Sequence, residues 1–126
     1  MKKKILVVED HPDVRDILVF QLRHMGYDTV VADNGALAVK LAIEESPDAI
    51  ILDLRLPELN GVEVAAMLKN HLLASTIPIL VYTGLETGEW RERAFKAGAR
   101  EYLTKPISPS LLRERIEKLT EERVLH

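Results

Sequence analysis

Glu9, Asp10, Asp53, Thr83 and Lys105 are the residues of this chain whose types could do chemistry together. Each follows a short apolar run: Ile5-Leu6-Val7-Val8 before Glu9-Asp10, Ala49-Ile50-Ile51-Leu52 before Asp53, Ile79-Leu80-Val81-Tyr82 before Thr83-Gly84, and Tyr102-Leu103-Thr104 before Lys105-Pro106. Continuous apolar runs of this length read as strands buried on both faces, the pattern of a parallel sheet covered by helices. In such a sheet the carboxyl ends of all strands lie along one edge, which is where open α/β sheets bind their ligands. Three carboxylates, a hydroxyl and an ammonium should therefore converge. Clustered carboxylates repel one another and call for a cation. Lys105 offsets one charge, and the remainder calls for a hard divalent ion. With oxygen donors and no paired histidines, Mg²⁺ fits best. Such a site suits phosphoryl transfer, in which one carboxylate attacks phosphorus while positive charge neutralises the equatorial oxygens. Asp53 stands alone on its strand and is the best nucleophile. Glu9 and Asp10 are adjacent and suited to holding metal.

Taken singly, every one of these residues has an ordinary reading. Asp53 could cap a loop, Glu9-Asp10 could be a solvated strand end, Lys105-Pro106 a turn, Thr83 a strand residue with a satisfied hydroxyl, and Tyr102 half-buried packing. Their joint role depends on the elements that carry them. Strand-like runs cover Ile5–Val8, Thr29–Ala32, Ala49–Leu52, Ile79–Tyr82 and Glu101–Leu103, and segments with helical spacing lie between them. Val14, Ile17, Leu18, Leu22 and Met25 share the face of a first helix, with Pro12 near its start and Gly26 past its end. Asn34 caps a second, which turns Leu37, Ala38, Leu41 and Ala42 inward. Asn60-Gly61 opens a third, with Val62, Ala65, Ala66 and Leu68. A fourth runs from about Gly88 to Ala97 and stops at Gly98. Ser108-Pro109 opens the last, with Leu112, Ile116 and Leu119 as its stripe. Five β–α units with short loops predict a three-layer (βα)5 sandwich around a five-stranded parallel sheet.

The bulk composition is consistent with one domain over residues 1–126. The chain has 126 residues, 47% hydrophobic and 29% charged, with a net charge of −3 and no cysteine. That length supports a core without staples, and the missing thiols exclude disulfides, zinc–thiolate sites and thiol catalysis. A slightly negative charge gives no global attraction to nucleic acid or to an anionic membrane. The basic start Met1-Lys2-Lys3-Lys4 is followed by only four apolar residues, too few for a signal peptide. No run approaches the ~20 apolar residues of a membrane span, and a cytoplasmic location is expected.

Five motifs in order carry a resemblance to a known family. Ile5-Leu6-Val7-Val8-Glu9-Asp10, Ile51-Leu52-Asp53-Leu54-Arg55-Leu56-Pro57-Glu58-Leu59-Asn60-Gly61, Pro78-Ile79-Leu80-Val81-Tyr82-Thr83-Gly84, Ala97-Gly98-Ala99 and Tyr102-Leu103-Thr104-Lys105-Pro106 together resemble the receiver domain of two-component response regulators, of the chemotaxis-regulator type. The resemblance covers essentially the whole chain. It implies a flavodoxin-like strand order of 2-1-3-4-5. It implies that Asp53 accepts a phosphoryl group from a phosphohistidine on a sensor histidine kinase or phosphotransfer protein, forming an aspartyl phosphate. Glu9 and Asp10 match the acidic pair that holds Mg²⁺ with Asp53, and the main-chain carbonyl of Arg55 is a further ligand. Thr83 matches the switch hydroxyl, Tyr102 the switch aromatic and Lys105 the phosphoryl-contacting lysine, with a cis bond to Pro106 implied. Arg55 and Leu85 fall at the positions that tune the lifetime of the phosphoryl group. Output is expected through the fourth helix, fifth strand and fifth helix, to a partner or a downstream domain, with dimerisation on activation as a further option. Glu-Asp in place of Asp-Asp, and Gly84 where Ala is usual, are small departures.

Other readings fit less well. A phosphatase with an aspartyl nucleophile would carry a second Asp two residues on, where Arg55 stands. A receiver used only as a scaffold would lack the acidic pair, Asp53 or Lys105. A nucleotide-binding relative would show a glycine-rich phosphate loop, and none follows any strand. His11, His24, His71 and His126 are read as surface residues. Trp90, on the fourth helix among Glu89, Arg91, Glu92 and Arg93, is either a buried anchor or part of a partner surface.

Overall fold

In a computed structural model, which describes residues 2–124, β-strands and helices alternate along the chain. They are β1 (Lys4–Val8), α1 (Pro12–His24), β2 (Asp28–Ala32), α2 (Gly35–Glu45), β3 (Ala49–Leu52), α3 (Gly61–Lys69), β4 (Ile79–Thr83), α4 (Gly88–Lys96), β5 (Glu101–Thr104) and α5 (Pro109–Val124). All five strands are parallel in the order β2-β1-β3-β4-β5. Every expected strand is present, with at most one residue added at an end.

The buried strands β1, β3 and β4 send alternate residues to opposite faces. Leu6, Val8, Ile50, Leu52, Ile79 and Val81 join one core with Ala38, Ala42, Val64, Ala65, Leu68 and Ala94 of α2, α3 and α4. Ile5, Val7, Ala49, Ile51 and Leu80 join the other with Leu18 and Leu22 of α1 and Leu112, Ile116 and Leu119 of α5. Three layers result, and the sheet is covered on both sides as its continuous apolar runs required.

The helix boundaries follow their caps. Asn34 Oδ1 accepts the Leu37 N–H at 2.9 Å. Asn60 and Glu63 form a capping box at α3, with bonds of 3.0 and 3.1 Å. Ser108 Oγ accepts the Leu111 N–H at the start of α5. Gly26 and Gly98 follow α1 and α4 at φ +97° and +112°, the left-handed region that glycine enters without strain.

Two helical stripes differ from expectation. Ile17 is 60% exposed: Leu18 and Leu22, four apart, set the buried seam of α1, and Ile17 lies about 100° around the helix from Leu18. In α3 the seam is Val64, Ala65 and Leu68, while Val62 and Ala66 are only half-buried. In α2, Ala38 and Ala42 are buried and Leu37 and Leu41 flank them. Among the described residues no helix is long and apolar enough to cross a membrane.

Candidate functional site

The backbone ladder of the sheet continues past the strand ends and fixes the residues beyond them. Glu9 N–H donates to the Ala32 carbonyl at 3.0 Å, Asp53 N–H to the Val8 carbonyl at 3.1 Å, and Lys105 N–H to the Thr83 carbonyl at 2.8 Å. Glu9, Asp10, Asp53, Arg55, Gly84 and Lys105 accordingly line one cleft with His11, Val14, Leu56 and Pro57. The start of α3 presses against its floor. Gly61 N–H donates to the Leu54 carbonyl at 2.9 Å, and a Cβ on Gly61 would stand 2.5 Å from the Asp53 carbonyl oxygen and 2.7 Å from Leu54 Cα. Glycine is required there by close approach of two backbones.

Asp53 is 6% exposed, and three donors hold its carboxylate. Oδ1 accepts from the Thr83 hydroxyl at 2.8 Å and from the Arg55 N–H at 3.0 Å, and Oδ2 accepts from Lys105 Nζ at 2.8 Å. Lys105 Nζ also donates to Glu9 Oε1, and Glu9 Oε2 accepts the His11 N–H at 3.2 Å. Burial pushes the Asp53 carboxyl up, but the bonds from Lys105, Arg55 and Thr83 outweigh it and hold the group below its ordinary value. For Glu9, burial and the Asp53 charge prevail over its bonds to Lys105 and His11, and the group is raised. Burial would lower Lys105, yet Asp53 and Glu9 together raise it, so its ammonium is kept.

Among the described residues no three acidic or histidine side chains form a ready-made metal cluster. Lys105 lies between Glu9 and Asp53, while Asp10 is exposed at the rim. The ammonium bonds the two buried carboxylates directly. The donor set still fits Mg²⁺: three carboxylates and one ammonium leave two formal negative charges, and every donor is a hard oxygen.

Around Thr83 a second chain of contacts leads away from the cleft. Leu85 N–H approaches Thr83 Oγ1 at 3.4 Å, and the Leu85 carbonyl accepts from the Tyr102 hydroxyl at 2.6 Å. Tyr102 is 7% exposed, so its ring lies inside, packed in the α4 side of the core. Burial raises its hydroxyl above the ordinary value, and it stays a neutral donor. Arg91 of α4 covers the ring with its guanidinium carbon 5.7 Å from the centroid. Lys105-Pro106 is cis.

Several contacts were not legible beforehand. His11 is the N-cap of α1, its Nδ1 facing the Val14 N–H; histidine is not among the usual capping residues, and Pro12 at the first helical position was the available signal. His24 is exposed and His71 is half-buried, its Nδ1 accepting the Leu73 N–H; His126 lies outside the described residues. Trp90 is half-buried, one side on the core and the other under the Arg93 guanidinium at 4.4 Å.

The model of the response regulator receiver domain matches residues 5–117. This chain belongs to the receiver family of two-component response regulators. Among its relatives is the alkaline phosphatase synthesis transcriptional regulatory protein PhoP of Bacillus subtilis, 38% identical over 119 residues, which cover 94% of this chain and 49% of that protein. The receiver spans about half the length of the curated transcriptional regulators it matches. A putative response regulator from Chloroflexus aurantiacus superposes with a TM-score of 0.91 at 31% identity, covering 96% of this chain and 99% of that one. The receiver domain of a sensor histidine kinase from Pseudomonas aeruginosa, with a magnesium ion coordinated in its active-site cleft, superposes at 0.90 and 29% identity over 96% and 99%. The receiver thus has the five-stranded 2-1-3-4-5 sheet of these structures.

Proposed function

We propose that this receiver accepts a phosphoryl group on Asp53 and passes the change to a partner or to a further domain. The observation that carries the reading is the threefold grip on one buried carboxylate by Lys105, Thr83 and the Arg55 N–H. These donors keep Asp53 ionised at neutral pH and fix where its oxygens point. An Asp53 oxygen attacks the phosphorus of a phosphoimidazole, a P–O bond forms as the P–N bond breaks, and the departing imidazole takes up a proton. Lys105 and Thr83 then donate to the transferred oxygens, which carry more charge than the carboxylate they replace. Glu9, Asp10, Asp53 and the main-chain carbonyl of Arg55 would hold Mg²⁺. When bound, that ion supplies further positive charge against the phosphoryl oxygens.

The donor is a sensor histidine kinase or a phosphotransfer protein. Output runs through the face of α4, β5 and α5, to which the Thr83–Leu85–Tyr102 contacts lead, with dimerisation on activation as one form it takes. Exposed Arg55 at the mouth and apolar Leu85, which offers no group to orient water, give a long-lived aspartyl phosphate. The test is incubation with acetyl phosphate and Mg²⁺. The parent should gain one phosphate, labile to base and hydroxylamine, and Asp53→Asn should gain none. A label that persists in Asp53→Asn would overturn the assignment.

A further inference from the structure

Lys105 carries its ammonium on four flexible carbons, and a chain of that kind loses rotamer freedom wherever it is held. Glu9 and Asp53 hold it from the cleft side. A third contact comes from the neighbouring strand. The centroid of the Tyr82 ring lies 5.6 Å from Lys105 Nζ, within the range at which a cation is attracted to a π face. The same side chain reaches past the lysine, where Tyr82 Oη accepts the Ile107 N–H at 3.4 Å. Tyr82 is half-buried and packs in one apolar cluster with Leu18, Leu80 and Ile107. It directly precedes Thr83 on β4, so the two side chains leave opposite faces of the sheet. Strand alternation thus sets Thr83 on Asp53 and Tyr82 beside Lys105.

We propose that Tyr82 is a positioning residue for phosphoryl transfer: its ring holds the Lys105 ammonium at the carboxylates, and its hydroxyl ties the segment after Lys105 to β4. The proposal rests on the reading of Asp53 as phosphoacceptor. The two carboxylates are the groups whose charge and partners change when Asp53 becomes an aspartyl phosphate. The ring is anchored in the core and does not change. It keeps the ammonium in place before and after transfer, which lowers the ordering cost of the reaction.

The test measures initial phosphorylation rates with acetyl phosphate and Mg²⁺ for the parent, Tyr82→Phe and Tyr82→Leu, each with Lys105 and with Lys105→Met. Tyr82→Leu should slow the reaction about five- to tenfold, the size a partly desolvated cation–π contact supports. Tyr82→Phe keeps the ring and should lose about twofold or less. In the Lys105→Met background Tyr82→Leu should cost nothing further. A residue that only packs would cost the same factor in both backgrounds, and that result would overturn the proposal. So would a Tyr82→Phe as slow as Tyr82→Leu. Should Tyr82→Leu fail to fold, Tyr82→Met carries the same expectations.

The contact is also read without any phosphodonor. Ring currents should shift the Lys105 ε-methylene protons upfield in the parent and in Tyr82→Phe, and the shift should vanish in Tyr82→Leu. Its absence from the parent would overturn the proposal. A parent that shows the shift but takes no phosphoryl group would instead overturn the phosphoacceptor reading, and the role in transfer with it.

Discussion

Lys105 Nζ stands 2.8 Å from Asp53 Oδ2 and also bonds Glu9, so one ammonium joins the carboxylates that end two neighbouring strands. It neutralises part of the charge that would attract a divalent ion, while in the proposed reaction it would donate to the transferred oxygens. The two effects oppose each other. Lys105→Met should therefore bind Mg²⁺ about three- to tenfold more tightly, since one positive charge within several ångströms is gone. It should nevertheless be phosphorylated much more slowly. Metal titration followed by Trp90 fluorescence and phosphorylation with acetyl phosphate read the two quantities separately. Weaker Mg²⁺ binding in this variant would mean that Lys105 does not compete for the carboxylates.

Asp10 is the acidic residue left outside that network. Exposed at the rim, it has no hydrogen bond to Lys105 or Asp53. Asp10→Asn should cost more than about tenfold in Mg²⁺ affinity, because a hard cation loses a charged oxygen ligand. The Asp53–Lys105 pair is untouched, so metal-free stability in urea should stay within about 0.5 kcal/mol of the parent. Unchanged metal affinity would remove Asp10 from the ligand set.

Gly61 meets the segment of Asp53 and Leu54 backbone to backbone. Gly61→Ala forces a methyl group to 2.5 Å from the Asp53 carbonyl oxygen, and neither backbone can yield without shifting the strand end or the capping box. A stability loss of about 1–3 kcal/mol is expected from such overpacking. Phosphorylation should slow as well, because Asp53 moves with its backbone. Urea unfolding and initial rates with acetyl phosphate test this, and a variant equal to the parent in both would show that the contact relaxes freely.

Thr83 is already bonded to Asp53, and Tyr102 is already inside with its hydroxyl on the Leu85 carbonyl. Phosphorylation is therefore expected to favour this packing over an alternative one and not to build it anew. Trp90 on α4 should report the shift as a fluorescence change on adding beryllofluoride with Mg²⁺, which mimics the phosphoryl group. In Thr83→Ala the response should shrink, although Asp53 and the metal donors remain. The buried carboxylate also loses a bond, at about 1 kcal/mol of stability. An equally large fluorescence response would mean that the change reaches α4 by another route.

Period and punctuation determined much of this protein from the sequence. Five apolar runs, each followed by a helical stripe with its own cap or stop, specify alternating strands and helices, and parallel strands then bring Asp53, Thr83 and Lys105 to one edge whatever the detail. Local chemistry suffices for this because burial and capping act over a few residues. Tertiary structure alone decided which polar group takes which partner. The sequence cannot show that Lys105 lies between Glu9 and Asp53 while Asp10 stays at the rim, since that choice depends on the reach of four side chains from the ends of three strands. It gives Tyr82 and Ile17 as core residues, yet one contacts the site lysine and the other is largely in solvent. Strand alternation, and a turn of about 100° along a helix, acquire a direction only when neighbouring elements pack against them.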